Sequence, residues 1–200
     1  AALGGKSPLL ENTITQAISL SHALQGKDVT AKVFVSMRYW HPLVEQTVQE
    51  VAAFQPDKII LLPLYPQFST TTSFSSLQNW RRAAKQAGLS VPTEEICCYP
   101  EHEGFVTASA DLIKKILQDA PKKVRLLFSA HGLPEKIIQA GDPYQRHCEK
   151  TAEAIVRELN IPLLDWQMCY QSRVGRLKWI GPSTEQALET AADDNVGVVI

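Results

Sequence analysis

Little in this chain reaches for a membrane, a nucleic acid or a fixed metal cage. No apolar run approaches the roughly 18 residues of a membrane-spanning helix. No basic tract is present: Lys and Arg are spread along the 200 residues, and a formal net charge of -1 gives no field for a nucleic-acid backbone. No Cys-x-x-Cys pair occurs among Cys97, Cys98, Cys148 and Cys169, which speaks against a zinc ribbon and a thioredoxin-type motif. The same cysteines argue against an iron–sulfur cluster unless ligands come from elsewhere, and they read as reduced, small apolar residues of an intracellular protein. If Cys97 and Cys98 lie on a strand, they point to opposite faces. No His-x-x-x-His spacing, internal repeat or low-complexity segment occurs. What remains, 44% hydrophobic and 20% charged residues, is the composition of a soluble globular protein.

The ends read as cut. The first residue is Ala1, not Met, and residues 195–200 form an apolar run with no helix after it. The chain is therefore expected to be a fragment lacking both ends, and its start gives no reading of a targeting signal.

What is present alternates between strand-like and helix-like patterns. Thr13 with Gln16 has the form of a capping box that opens a helix over 13–24. Strands are expected at 32–37, 58–62 and, more weakly, 93–97. Helices are expected at 42–54, with Val44, Val48, Val51 and Ala52 on one stripe, and at 73–87, stopped by Gly88. A further helix over 103–120 carries Leu112, Ile113, Ile116 and Leu117. The pattern restarts with a buried strand at 124–128. Asp142 and Pro143 fit the N-cap and first position of a helix reaching Leu159. A strand over 163–169, a capping box from Ser183 and Gln186, and a strand over 196–200 complete it. The expectation is an α/β fold of doubly wound parallel sheets covered by helices. Pro121 and Lys123 bracket the best internal boundary, giving a first α/β half over 1–121 and a second over 122–200, both incomplete.

Four strand ends carry chemistry. After the 124–128 strand come Ser129-Ala130-His131-Gly132-Leu133-Pro134, which place an imidazole between small residues where an α/β sheet collects ligands. A single His suits a transient metal contact or a proton acceptor near neutral pH better than a permanent cage. After 58–62, Tyr65 and Phe68 offer ring faces and Ser69, Thr70 and their neighbours a row of hydroxyls, either an elaborate helix cap or a ligand wall. After 32–37, Arg38 can fork onto a carboxylate beside Tyr39 and Trp40. His41, before Pro42, reads as a cap residue, and His22, His102 and His147 read as solvated. After 163–169 stand Gln171, Ser172 and Arg173. Such convergence predicts a planar or aromatic, acid-bearing ligand. Gly4-Gly5-Lys6-Ser7 has the look of a phosphate-loop tail, but the strand and first glycine that loop requires do not precede it, and Pro8 makes Ser7 a cap or turn residue.

The ordered set of motifs resembles the ferrochelatase family. The pieces are Gly5-Lys6-Ser7-Pro8-Leu9, Met37-Arg38-Tyr39 with His41-Pro42, and Pro63-Leu64-Tyr65-Pro66-Gln67-Phe68-Ser69-Thr70. Ser129 to Pro134, Gly141-Asp142-Pro143-Tyr144 and Gln171-Ser172-Arg173-Val174-Gly175 with Trp179 follow in order, and Cys97-Cys98-Tyr99-Pro100 suggests a bacterial member. The resemblance implies two Rossmann-like halves with a porphyrin cleft between them, and insertion of ferrous iron into protoporphyrin IX in haem biosynthesis. The family's metal-site histidine falls on His131, and its glutamate partner is expected beyond Ile200. Arg38, Tyr39 and Trp179 match cleft-lining positions, with Tyr65, Ser69, Thr70, Gln171 and Ser172 as further substrate contacts. Arg176 departs from the proline that many members carry there. The resemblance implies iron and porphyrin as substrates, no prosthetic group, no nucleic-acid partner, and a cytoplasmic protein with peripheral membrane contact. Alternatives are a chelatase for coproporphyrin III or sirohydrochlorin, a porphyrin-binding module without catalysis, and a nucleotide-binding domain.

Overall fold

The computed structural model describes residues 7–27, 29–121 and 123–200, so Gly4, Gly5 and Lys6 of the phosphate-loop look-alike lie outside the described residues. Contacts group these residues into two units. One extends to Leu62 and includes Ser75–Glu95; the other joins Pro63–Phe74 to Ile96–Ile200, so the sequence boundary at 121 falls within the second.

In the first unit, α1 (Leu9–Gln25) is followed by α2 (Val44–Phe54), β1 (Ile59–Leu61), α3 (Ser73–Gln86, from Ser75 on in this unit) and β2 (Thr93–Glu95). β1 and β2 pair in parallel with Ile59 opposite Thr93. Parallel neighbours need a crossover, and α3 supplies it. The α2 stripe buries Val44, Thr47, Val48 and Val51, and Val48 and Val51 join Ile59, Trp80 and Ala83 in one core. Gly88 ends the α3 turn at φ +67°, a conformation that glycine adopts at little cost.

Three expectations for this unit change. Residues 32–37 form no strand. Phe34 still packs on the core, but the backbone is held by a side chain, with the Thr47 hydroxyl donating to the Val35 carbonyl at 2.9 Å. The apolar content of that run thus reflects packing against α2 without a ladder partner. α1 starts four residues ahead of Thr13, whose hydroxyl donates back to the Leu9 carbonyl (2.8 Å) and makes no capping box. His41 does not cap α2, which starts after Leu43 with no side-chain cap.

The second unit holds α4 (Glu103–Gln118), β3 (Val124–His131), α5 (Glu135–Gln139), α6 (Tyr144–Leu159), β4 (Asp165–Gln171), α7 (Thr184–Asp193) and β5 (Gly197–Val199). Its sheet runs β4–β3–β5, all parallel. β3 is hydrophobic on both faces because both are covered. Leu126 points into a cluster with Val106 and Ala110 of α4 and Ala154, Ile155 and Leu159 of α6. Leu127 points the other way, onto Cys169 and Ala187 of α7. Full burial of each such leucine is worth roughly 1.5–3 kcal/mol. The Ser183–Gln186 capping box is present, the Ser183 hydroxyl accepting from Gln186 N at 3.1 Å and Gln186 Oε1 from Ser183 N at 2.8 Å. On α4 the buried residues are Val106 and Ala110, while Leu112 (65% exposed) and Ile116 (59% exposed) face outward. Small Ala110 allows α6 to approach closely, and this turns the bulky pair away. Cys97 and Cys98 lie past the end of β2, so the opposite-face expectation for a strand does not apply, and their sulfurs are 3.0 Å apart.

This topology positions a site. The chain leaves β3 for β4 on one side and then crosses back to β5 on the other. Connections therefore change direction beside β3, and the crevice beyond its carboxyl end is where α/β sheets take ligands.

Candidate active site

His131 is the last residue of β3 and is exposed. Seven consecutive residues of β3 pair with β4, and the last pair is His131 with Gln171. The ladder continues past the histidine, since Gly132 N donates to the Gln171 carbonyl at 2.8 Å. Gly132 has no room for a side chain: a Cβ there would lie 3.0 Å from the Gln171 carbonyl oxygen, 3.3 Å from Arg173 Cγ and 3.4 Å from Trp179 Cε3. That close approach explains Gly132 and brings Trp179 alongside the histidine's own turn.

Trp179 is anchored at both ends. Its backbone bridges to Pro134, with Glu135 N donating to Lys178 O (2.9 Å) and Ile180 N to Leu133 O (3.0 Å). Its indole N–H donates to the Val174 carbonyl at 3.0 Å. The half-buried ring is thus fixed in orientation, and an indole so held suits stacking on a flat ligand. Ser172 turns the chain out of β4 in the left-handed region, φ +62°, unusual for a residue other than glycine. Gln171, Ser172 and Arg176 are all exposed.

Beneath His131 lies a buried polar cluster that sequence reading did not single out. Burial pushes the Tyr144 hydroxyl up, with the Cys148 thiol and the His131 backbone beside it. Cys148 itself is pushed up to about 11, chiefly by burial. Tyr170, 1% exposed, has a hydroxyl with no partner among the described residues.

The second group of expected residues sits on the Pro63–Phe74 segment of the same unit. Tyr65 is exposed. Ser69 and Thr70, expected along a ligand's polar edge, face Asp142. Asp142 Oδ2 accepts from Ser69 Oγ (3.0 Å), Thr70 Oγ1 (2.6 Å) and Thr70 N (2.7 Å), while Oδ1 accepts from Tyr144 N (2.9 Å). Ser69 is 0% exposed, and its oxygen also accepts from Thr71 N at 3.1 Å. Burial alone would raise the Asp142 carboxyl, but these four donations outweigh it and hold the group below the usual carboxylate range. The N-cap place expected of Asp142 is taken by Pro143, without a side-chain cap bond; Asp142 instead accepts from Tyr144 N, the first residue of α6, and ties down a loop 72 residues upstream. No local signal encodes that second role. His147, read as solvated, is half-buried, and its Nδ1 accepts from Phe68 N at 3.2 Å. Its pKa is lowered, first by burial and then by Lys150 and Arg146.

Arg38 and Tyr39 belong to the first unit. Arg38 Nε donates to Ser75 Oγ at 3.0 Å, and the guanidinium lies 4.6 Å from the centre of the Tyr39 ring. Tyr39 is 74% exposed, so the stacked pair presents a cation beside an aromatic face. Among the described residues no group of three or more His, Cys, Asp or Glu could hold a metal ion, and no helix is long and apolar enough to cross a membrane.

An exposed imidazole at the switch point of a parallel sheet, flanked by an oriented indole, defines a ligand-binding α/β domain. The comparisons refine that class. A family model described as Ferrochelatase matches residues 1–200. A protein named Ferrochelatase from Caulobacter vibrioides (strain NA1000 / CB15N) is 50% identical over 204 residues, covering 100% of this chain and 58% of the relative. Another of that name from Wolbachia sp. subsp. Drosophila simulans (strain wRi) is 48% identical over 201 residues, covering 99% and 64%. A third, from Rickettsia bellii (strain OSU 85-389), is 46% identical over 199 residues, covering 99% and 55%. The chain belongs to the ferrochelatase family, and it spans about three fifths of the length of these curated relatives.

Proposed function

We propose that the protein inserts ferrous iron into protoporphyrin IX to form protohaem, with His131 at the reacting centre. The exposed imidazole at the carboxyl end of β3 carries this reading, and the relatives' printed name supports it.

A free porphyrin carries two pyrrole N–H groups, and both protons must leave as iron enters. Its nitrogen lone pairs lie in the plane of the flat ring. Bending the macrocycle against a fixed aromatic wall exposes them, and Trp179 is held for such a task by its indole hydrogen bond. Neutral imidazole accepts protons near neutral pH and is a good ligand for ferrous iron. His131 takes the pyrrole protons, contacts the incoming iron, or does both. The second metal ligand in this reading is a glutamate carried beyond Ile200.

Gln171, Ser172 and Tyr65 contact the substrate. Ser69 and Thr70 contribute through Asp142, by fixing the loop that carries Tyr65. Arg38, stacked on Tyr39, suits a propionate carboxylate. The reading places the protein in the cytoplasm with peripheral membrane contact, because its substrate is a greasy, planar acid.

The test uses the full-length protein, ferrous iron and protoporphyrin IX. Metal insertion should be fast, and His131→Ala should abolish it while porphyrin binding persists. Faster insertion into coproporphyrin III or sirohydrochlorin would move the reading to a different chelatase. Tight porphyrin binding without turnover would make it a binding module, and near-normal insertion by His131→Ala would defeat the role of His131.

A further inference from the structure

Cys97 and Cys98 stand where β2 gives way to the irregular segment before α4. Their sulfurs lie 3.0 Å apart, Cys97 exposed and Cys98 half-buried. The next residue is a clasp. Tyr99 N donates to the Pro66 carbonyl at 2.8 Å, and the Tyr99 hydroxyl donates to the Pro63 carbonyl at 3.0 Å. One position further, the Pro100 carbonyl accepts from Thr151 Oγ1 (2.7 Å), which in turn accepts from Gln67 Nε2 (2.9 Å). The dithiol is thus one residue away from the contacts that hold the strap bearing Tyr65.

We propose that Cys97 and Cys98 form a thiol–disulfide exchange site for small disulfides of the glutathione class, and that closing the Cys97–Cys98 bond loosens the Tyr99 clasp on the Pro63–Pro66 strap. In the first step the Cys97 thiolate attacks one sulfur of oxidised glutathione. One glutathione leaves as a thiolate and takes up a proton. In the second step Cys98, its proton lost to solvent, attacks the Cys97 sulfur; the protein disulfide forms and the second glutathione leaves and is protonated. Two protein thiols are oxidised and one glutathione disulfide is reduced to two thiols. Exposure makes Cys97 the attacking group. Cys98, pushed up to about 11 by burial and by its hydrogen bond with Cys97, resolves the mixed disulfide.

Adjacent residues across a trans peptide have Cα atoms about 3.8 Å apart, short of the roughly 4.4–6.8 Å of ordinary disulfides. The ring therefore stores strain in the 97–98 peptide and passes it to Tyr99. Strained disulfides have higher reduction potentials and are reduced readily, so the modification reverses. The effect on the strap bears on activity only through the proposed role of Tyr65.

The test treats the full-length protein with oxidised glutathione, then alkylates and maps its peptides. The expected product has lost two hydrogens within the peptide carrying residues 97 and 98. Cys98→Ser should instead trap one glutathione on Cys97, and Cys97→Ser should react at neither position. Amide hydrogen exchange at Tyr99 should quicken several-fold in the oxidised protein. Iron insertion should fall several-fold and return with dithiothreitol, while Cys97→Ser keeps its activity throughout. Two thiols that stay freely alkylatable, or unchanged Tyr99 exchange after closure, would overturn the inference. A full-length protein that closes the disulfide but inserts no iron in either redox state would sink the proposed function and leave the exchange site standing.

Discussion

The two ends of the β4–β3–β5 sheet are built to opposite purposes. At the amino end, Arg125 Nε meets both carboxylate oxygens of Asp165 on β4 (2.9 and 3.0 Å), and its Nη2 meets Asp194, just past α7, at 2.9 Å. Lys123 O accepts from Gly197 N at 3.0 Å at the same end, closing β5 onto β3. At the carboxyl end β3 pairs with β4 as far as His131 opposite Gln171. One end joins three strands through paired charges. The other leaves an imidazole exposed, with the tyrosine–cysteine cluster of α6 beside its backbone. Charge pairing and the candidate site are thus separated by the length of one strand, and substitutions along β3 should separate their effects too.

The largest effect belongs to the open end. His131→Ala in the full-length protein should lower iron insertion by roughly 10²–10⁴-fold, the usual weight of a positioned proton acceptor. Its unfolding free energy should shift by no more than about 0.5 kcal/mol, as for an exposed residue. A large loss of stability would break the separation. Midway along the strand, Leu126→Ala should cost roughly 2–5 kcal/mol in urea unfolding, because Leu126 is fully enclosed by α4 and α6.

Gly132→Ala sharpens the comparison, because it should damage the open end by sterics alone. The added Cβ meets a backbone carbonyl, which cannot swing aside. A destabilisation of about 1–3 kcal/mol is expected, with a shift in Trp179 fluorescence as its wall moves. Asp142→Asn should cost about 1–3 kcal/mol by weakening an anchored carboxylate. The Asp142 carboxyl is held below its ordinary value, so its contribution is present above the unfolded value near about 4 and disappears as pH falls through the lower folded value. The difference in melting temperature between wild type and Asp142→Asn should accordingly shrink below about pH 4. The smallest effect is expected at the amino end. Arg125→Ala should lower the melting temperature slightly and leave porphyrin binding intact.

Sequence periodicity was a good guide wherever the second unit is regular. The Ser183–Gln186 box, the helix that reaches Leu159 and the strand that starts at Val124 all follow from local rules. It failed where tertiary contacts replaced local ones. Residues 32–37 have strand composition but are held by Thr47 from α2. The bulky apolar residues of α4 proved less telling than Ala110, whose small size sets the packing. The candidate site was legible in its exposed members, because His131 and Gln171 close strands and Tyr65 stands just beyond one. Its supports were not. Asp142 reaching Ser69 and Thr70, His147 reaching Phe68, and Tyr144 beneath His131 are partners brought together only by folding.

The His131–Gln171 pairing makes the chemistry depend on strand registration. Alternation puts Leu127, Ser129 and His131 on the α7 face, as the Ser129 hydroxyl against Thr184 Oγ1 at 2.8 Å attests. A slip of one residue against β4 would invert every side chain, sending the imidazole toward the opposite layer and exposing Leu127. A misregistered strand would therefore turn the imidazole away from its crevice and leave an apolar side chain in water.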